Sequence, residues 1–251
     1  MERANPVSTP MDCNNLPEPN PDQSVSNRSN SYARLLGELQ YIANCTRPDI
    51  TFAIHRLASY TANPSMQHQM MLKRVLRYLA GTRSHGITYR RSTDLQQIVG
   101  YVDAGFANTD KRKSTTGITF ITGNGAILWK SKKQTLTALS TTEAEYVALA
   151  QAGTDARWLR NLHIELDMPI KSPLPIRSDN LGAISMAKNP YLSPSSRHID
   201  LKFHLIRQLV ANNIVTPEAC HDADQTADIL TKPIPRPKHQ QHTSELGIAT
   251  V

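Results

Sequence analysis

Ile98-Val99-Gly100-Tyr101-Val102-Asp103 is the stretch that decides how this chain folds. Ile, Val and Tyr favour strands and Asp does not, so it reads as a buried strand that closes on a carboxylate. A carboxylate in that place needs a hydrogen bond, a cation or a metal. Ala104-Gly105-Phe106 follows, small enough for close approach, and provides no helix for Asp103 to cap. Three further acids can be set around it: Glu145 on a helix, Asp179 at the end of another strand and Asp228 on a late helix. Four carboxylates from four elements point to a site for divalent cations.

The chain has 251 residues, enough for one large domain or two small ones. A formal charge of +7 and a pI near 9.4 favour a polyanionic partner, nucleic acid before membrane. A basic surface kept for solubility is the plainer alternative. Together the acids and the charge read as a metal-dependent nuclease. Cys13, Cys45 and Cys220 are odd in number and widely spaced, which argues against a disulfide framework or a zinc site and fits a reducing compartment. No apolar run is long enough to span a bilayer, and the polar N-terminus does not read as a secretory signal. The expected location is intracellular, in cytoplasm or nucleus.

Residues 1–30 are rich in Pro, Asn and Ser and read as a disordered lead-in. Residues 31–92 read as helical. Leu35, Leu36, Leu39 and Ile42 fall at helical spacing, Arg47-Pro48 marks a restart, and Ser65 is an expected N-cap. Leu72, Val75, Leu76 and Leu79 form a third stripe, ended by Gly81, and a short strand follows from Gly86. The basic residues Lys73, Arg74 and Arg77 could grip a nucleic-acid backbone, a solvated face being the plainer alternative. Residues 95–232 then alternate as strand, strand, strand, helix, strand, helix, helix, strand, helix. Gly123-Asn124-Gly125 is a hairpin turn, and the long helix runs from Ser140 to about Leu166. Residues 190–196 read as a loop. Residues 233–251, rich in Pro and His, read as a loose tail.

Each acid has a plainer role to set against the functional one. Ser140 with Glu143 is a capping box, which explains Glu143 without chemistry. Glu145 lies instead on the stripe of Ala148, Leu149, Ala152, Ala156 and Leu159 that should meet the sheet, where a bare carboxylate is costly. Asp179 stands where a strand ends and a helix begins; it is either an N-cap or a site residue at the carboxyl end of a strand. Asp224 reads as the cap of the last helix, leaving Asp228 one turn inside it beside Ala227, Ile229 and Leu230. His221 reads as a solvated loop residue. His198, Asp200 and His204 do not match a common zinc spacing and read as polar helix-face residues.

With the acids in the order Asp, Glu, Asp, Asp, the chain resembles the RNase H domain of copia-type (Pseudoviridae) retrotransposon Pol polyproteins. The matching stretches are Gly100-Tyr-Val-Asp-Ala, Lys113-Ser-Thr-Thr-Gly, Trp129-Lys-Ser-Lys-Lys-Gln, Ala138-Leu-Ser-Thr-Thr-Glu-Ala-Glu-Tyr, Ser178-Asp-Asn, Arg197-His-Ile-Asp and Gln225-Thr-Ala-Asp-Ile-Leu-Thr-Lys. Leu36 to Ile50 and Leu72 to Thr82 look like the end of the reverse transcriptase that precedes RNase H there, a thumb- or connection-like remnant. The resemblance implies an α/β fold: an RNase H-like mixed five-stranded sheet flanked by helices, preceded by a small helical segment. It implies an endonuclease that hydrolyses the RNA strand of RNA–DNA hybrids with two Mg²⁺ ions, Mn²⁺ being a possible substitute. Asp103 would bridge the ions, Glu145 and Asp179 would hold one near the leaving group, and Asp228 would hold the one at the attacking water. Lys111, Arg112, Lys113, Ser114 and Thr115, with Lys130, Lys132, Lys133 and Gln134, would contact the nucleic-acid backbone.

The polymerase Tyr-x-Asp-Asp motif of that family is absent, so the chain reads as a C-terminal fragment that does not polymerise DNA. The missing upstream reverse transcriptase segment is a possible partner. The loop before Asp228 is short, which argues against a catalytic part for His221. An integrase-type site would need its Glu last, whereas Glu145 is second. The remaining alternative is a catalytically silent transposon remnant that only binds nucleic acid.

Overall fold

The structure is a computed structural model that describes residues 4–21, 29–90, 98–170, 172–189 and 201–251. Five strands form one mixed sheet: β2 (Val99–Gly105), β3 (Thr115–Thr122), β4 (Gly125–Lys133), β5 (Leu174–Ser178) and β6 (Val215–Ala219), in the order β4-β3-β2-β5-β6. The first three are an antiparallel meander, and β5 and β6 add in parallel. A mixed five-stranded sheet flanked by helices is what the sequence resemblance implies. The turn between β3 and β4 has positive φ at Gly123 and Asn124, which a tight hairpin needs and which Gly and Asn tolerate.

Helix α4 (Thr141–Glu165) packs on one face of the sheet. Its buried stripe is mostly Ala144, Ala148, Ala152 and Ala156, small enough to bring the helix axis close to β2. Helices α5 (Leu181–Lys188) and α6 (Leu205–Ala211) join the same core, Ile206 and Leu209 closing over Gly153. The second of the two helices expected between β5 and β6 is, over the described residues, a 3-10 turn at Leu201–His204 leading into α6. The loop read at 190–196 lies outside the described residues.

The other face carries the helical segment: α1 (Ser29–Cys45), a 3-10 turn at Pro48–Ile50, α2 (Thr51–Ala58) and α3 (Met66–Gly81). Arg47 precedes Pro48 and Ser65 caps α3, as the sequence predicts. This segment is packed on the sheet. Trp129 Nε1 donates to Ala43 O at 2.7 Å, and Asp110 accepts from both Arg56 Nη2 and Tyr60 Oη at 2.8 Å.

Two expectations are corrected. The lead-in is not loose over residues 4–21: Met11 is buried among α1–α3, Arg74 donates to Thr9 O, and Tyr60 Oη donates to Pro17 O. Its polar composition is matched by these side-chain-to-backbone bonds rather than by an apolar stripe. The tail is not loose either. Residues after Pro235 form α7 (Arg236–Glu245) and β7 (Ile248–Thr250), and β7 pairs antiparallel with β1 (His85–Ile87). Leu246 and Ile248 are buried with Ile229 and Ile234, and the helix adds His239 and His242 to its buried side.

Candidate active site

Asp103 is the fifth residue of β2, paired in register with Gly117 of β3. Gly117 decides what can lie over Asp103. A Cβ there would come within 2.6 Å of Thr231 Cγ2 and 2.9 Å of Ala227 O. The missing side chain lets the 3-10 turn Thr226–Leu230 settle against the sheet, and Gln225 Nε2 pins its start by donating to Val102 O at 3.0 Å. That packing carries Asp228 and Thr231 to the end of β2. Gln225, not Asp224, caps this turn, its side chain accepting from Ala227 N. Asp224 stays exposed in a separate 3-10 turn, Asp222–Asp224.

Glu145 reaches the site from the second turn of α4, its Oε1 accepting from Ala104 N at 3.0 Å. Asp179 follows β5, the parallel neighbour of β2. The capping role open to it is taken by Asn180, which accepts from Ala183 N. Likewise Glu143 stays at the helix start: Ser140 Oγ accepts from Glu143 N, and Glu143 Oε2 accepts from Leu139 N.

One carboxylate oxygen from each of Asp103, Glu145 and Asp179 lies within 4.8 Å of the other two. Asp103 and Glu145 are buried and Asp179 is half-buried. Asp228 is fully buried beside them but is otherwise engaged. Lys232 Nζ is 2.8 Å from its Oδ1 and Lys238 Nζ is 2.6 Å from its Oδ2. Thr231 Oγ1 donates to Asp103 Oδ2.

Electrostatics separate the four acids. Burial, then the Asp103 and Asp179 charges, push the Glu145 carboxyl up to about 10. Burial and the nearby Asp228 and Asp179 charges raise Asp103 to about 6, against the pull of Lys232 and the Thr231 hydroxyl. Asp179 is raised by burial and by Asp228. For Asp228 burial also pushes upward, but the two lysines outweigh it and hold the carboxyl below its ordinary value.

The group suits a hard divalent cation. Its donors are carboxylate oxygens, and Glu145 Oε2 is buried with no hydrogen-bond partner among the described residues. An uncompensated buried carboxylate oxygen is costly, and a cation removes the cost.

Other expected site residues divide. Lys111, Arg112, Lys132 and Lys133 are exposed. Lys113 Nζ donates to Thr135 O, and Lys130 is paired with Asp155 at 2.5 Å. Ser114, Thr115 and Gln134 are corrected as backbone-contact residues: all three are buried and turned inward. Ser114 accepts from Ala107 N, Thr115 donates to Asn108 Oδ1, and Gln134 Nε2 donates to Thr116 Oγ1 and Ala144 O. His221 is exposed. His204 Nδ1 is 2.9 Å from Tyr146 Oη, while His198 and Asp200 lie outside the described residues. Sequence reasoning missed Thr231, Lys232 and Lys238. The first two sit in the Gln225-to-Lys232 motif and were readable there, but Lys238 lies in the Pro- and His-rich tail and had no signal.

No protein-family model matches the chain. The "Retrovirus-related Pol polyprotein from transposon RE1" of Arabidopsis thaliana is 36% identical over 257 aligned residues, covering 100% of this chain. The corresponding polyprotein from transposon TNT 1-94 of Nicotiana tabacum is 35% identical over 246, covering 96%. The chain spans only 17% and 18% of those two proteins. Among solved structures, LC11-RNase H1, isolated from compost by a metagenomic approach, is 18% identical with a TM-score of 0.42, over 54% of this chain and 93% of that one. No described helix is long and apolar enough to cross a membrane.

Proposed function

The chain belongs to the copia-type retrotransposon Pol polyproteins, as a segment of them, and on that premise we propose that it is a metal-dependent ribonuclease H that hydrolyses the RNA strand of RNA–DNA hybrids. The observation that carries the reading is the meeting, within 4.8 Å, of a carboxylate oxygen each from Asp103 in β2, Asp179 just after its parallel neighbour β5, and Glu145 on α4. Carboxyl ends of strands are where α/β sheets gather chemistry.

Asp103, Glu145 and Asp179 would hold Mg²⁺ or Mn²⁺, with Asp228 available to a second ion. Ions there supply charge neutralisation and nucleophile activation for phosphodiester hydrolysis. The chain itself fixes the ligands. The Ala104 amide orients Glu145, and the Thr231 hydroxyl orients Asp103. Lys232, with its raised pKa, keeps a positive charge beside Asp103 and Asp228 where a phosphate would approach; burial opposes that charge and the two acids outweigh it. Exposed Lys111, Arg112, Lys132 and Lys133 supply backbone attraction without sequence information. The hybrid would be recognised by shape and by the 2′-hydroxyl, so sequence preference should be weak. The segment α1–α3 is read as the end of the reverse transcriptase.

The test offers the purified chain three end-labelled duplexes of one sequence in Mg²⁺: RNA–DNA hybrid, double-stranded RNA and double-stranded DNA. The RNA of the hybrid should be cut, the other duplexes spared, and EDTA should stop the reaction. Binding of the hybrid without cutting at any Mg²⁺ or Mn²⁺ concentration would replace this reading with that of a silent remnant.

A further inference from the structure

Asp228 is fully buried, yet both its oxygens face ammonium groups. Lys232 is its near neighbour in sequence. Lys238 arrives from a separate element, the first turns of α7. Lys238 Nζ lies 2.6 Å from Asp228 Oδ2, but also 3.2 Å from Asp222 O and 3.4 Å from Asp222 Oδ2. The Asp222 side chain is 74% exposed. The helix does not depend on the lysine to stay docked. Gln241 Nε2 donates to Ala223 O at 3.1 Å, Thr226 Oγ1 donates to Glu245 Oε2 at 2.9 Å, and His239 and His242 are buried.

We propose that Lys238 is a built-in monovalent cation on Asp228, which a divalent ion must displace before that carboxylate can serve as its ligand. This rests on the cation-site reading above. An Mg²⁺ ion sits about 2.0–2.1 Å from a carboxylate oxygen. An ammonium at 2.6 Å from the same oxygen would share that space, and two cations so close repel strongly away from bulk water. The four-carbon lysine stem allows the ammonium to swing without moving α7. Asp222 provides the place to retreat to: two oxygens already within 3.4 Å, on the solvent side. The three-carboxylate group therefore takes its ion first. The ion at Asp228 comes second and needs a higher concentration, which α7 sets through Lys238. Lys238 is thus a positioning residue, acting through Asp228.

The test is calorimetric titration of the full chain with Mn²⁺ and with Mg²⁺, without nucleic acid. Wild type should bind one ion more tightly than a second. Lys238→Met keeps most of the apolar stem and removes the charge, and should tighten the second ion by at least about tenfold. Lys238→Arg should behave like wild type. Asp222→Ala removes the carboxylate of the exposed retreat position, leaving only its backbone oxygen, and should weaken the second ion, so the idea stays testable even if Lys238→Met folds poorly. Unchanged stoichiometry and affinities in folded Lys238→Met, or a second ion bound as well or better by Asp222→Ala, overturns the proposal. Asp103→Asn separates the two levels. If it leaves the first ion bound, the cation site itself is wrong; if it removes that ion while Lys238→Met changes nothing, only the role of Lys238 fails.

Discussion

Glu145→Gln is expected to lower Mg²⁺-dependent cleavage of a hybrid by more than about a hundredfold, since loss of outer partners of a metal site alone costs about 10–100-fold. The same substitution should make the metal-free protein more stable at neutral pH. The Glu145 carboxyl is pushed up by burial first, then by Asp103 and Asp179. The folded state therefore keeps a proton that the unfolded chain releases above about pH 4.3. A group raised in this way contributes stability at low pH that is lost as pH rises through the folded value. Asp103, raised to about 6, acts in the same direction. Metal-free wild type should thus lose stability from about pH 4.5 up to about pH 10, the Asp103 share being complete near pH 6, and less of it should be lost by Glu145→Gln. Divalent ions should restore wild type at neutral pH but not the variant. Thermal melts across that range, with and without Mg²⁺, read both effects. Equal pH profiles for the two proteins would remove Glu145 from the cluster's electrostatics.

Asp49→Ala is expected to cost about 3–5 kcal/mol of stability, the range found when one partner of a buried ion pair is removed. Arg47 Nε and Nη2 donate to the two Asp49 oxygens at 2.9 and 2.7 Å, and Tyr78 Oη donates to Oδ2 at 2.6 Å. Neither side chain of the pair is more than 7% exposed. Arg47 also donates to Thr82 O and Oγ1, so the pair ties the 3-10 turn before α2 to the end of α3. The loss should extend toward the site, because Tyr78 meets the His239 ring of α7 edge-on at 5.5 Å. Urea unfolding should show a lower midpoint at unchanged slope. A change under about 1 kcal/mol would mean that water reaches Arg47 once Asp49 is gone.

The sheet was legible because its strands are written in β-branched residues and its turns in Gly and Asn. The stretch 98–103 falls on β2 within two residues, and the Gly123-Asn124-Gly125 turn falls between β3 and β4. Glu145 was legible because it interrupts an alanine stripe, and a carboxylate on a buried face asks for a partner. The ends of the chain were not legible. Helix α7 buries His239, His242 and Thr243 rather than leucines, so no apolar period marks it. Residues 4–21 are held by hydrogen bonds from Arg74, Arg77 and Tyr60, partners that only the fold brings near. Lys238 lies ten residues beyond Asp228 and meets it because a 3-10 turn folds back onto Gly117. Ser114, Thr115 and Gln134 misled because a polar residue beside lysines suggests solvent, while their strand ends turn them inward.

The central claim, that these carboxylates hold divalent ions for hydrolysis, is tested most directly with wild type and Asp103→Asn prepared side by side. Binding of an RNA–DNA hybrid and cleavage of its RNA strand in Mg²⁺ are measured on the same samples. The expected result is hybrid binding by both proteins and cleavage by wild type alone. Equal cleavage by both, or binding with no cleavage by either, would contradict it.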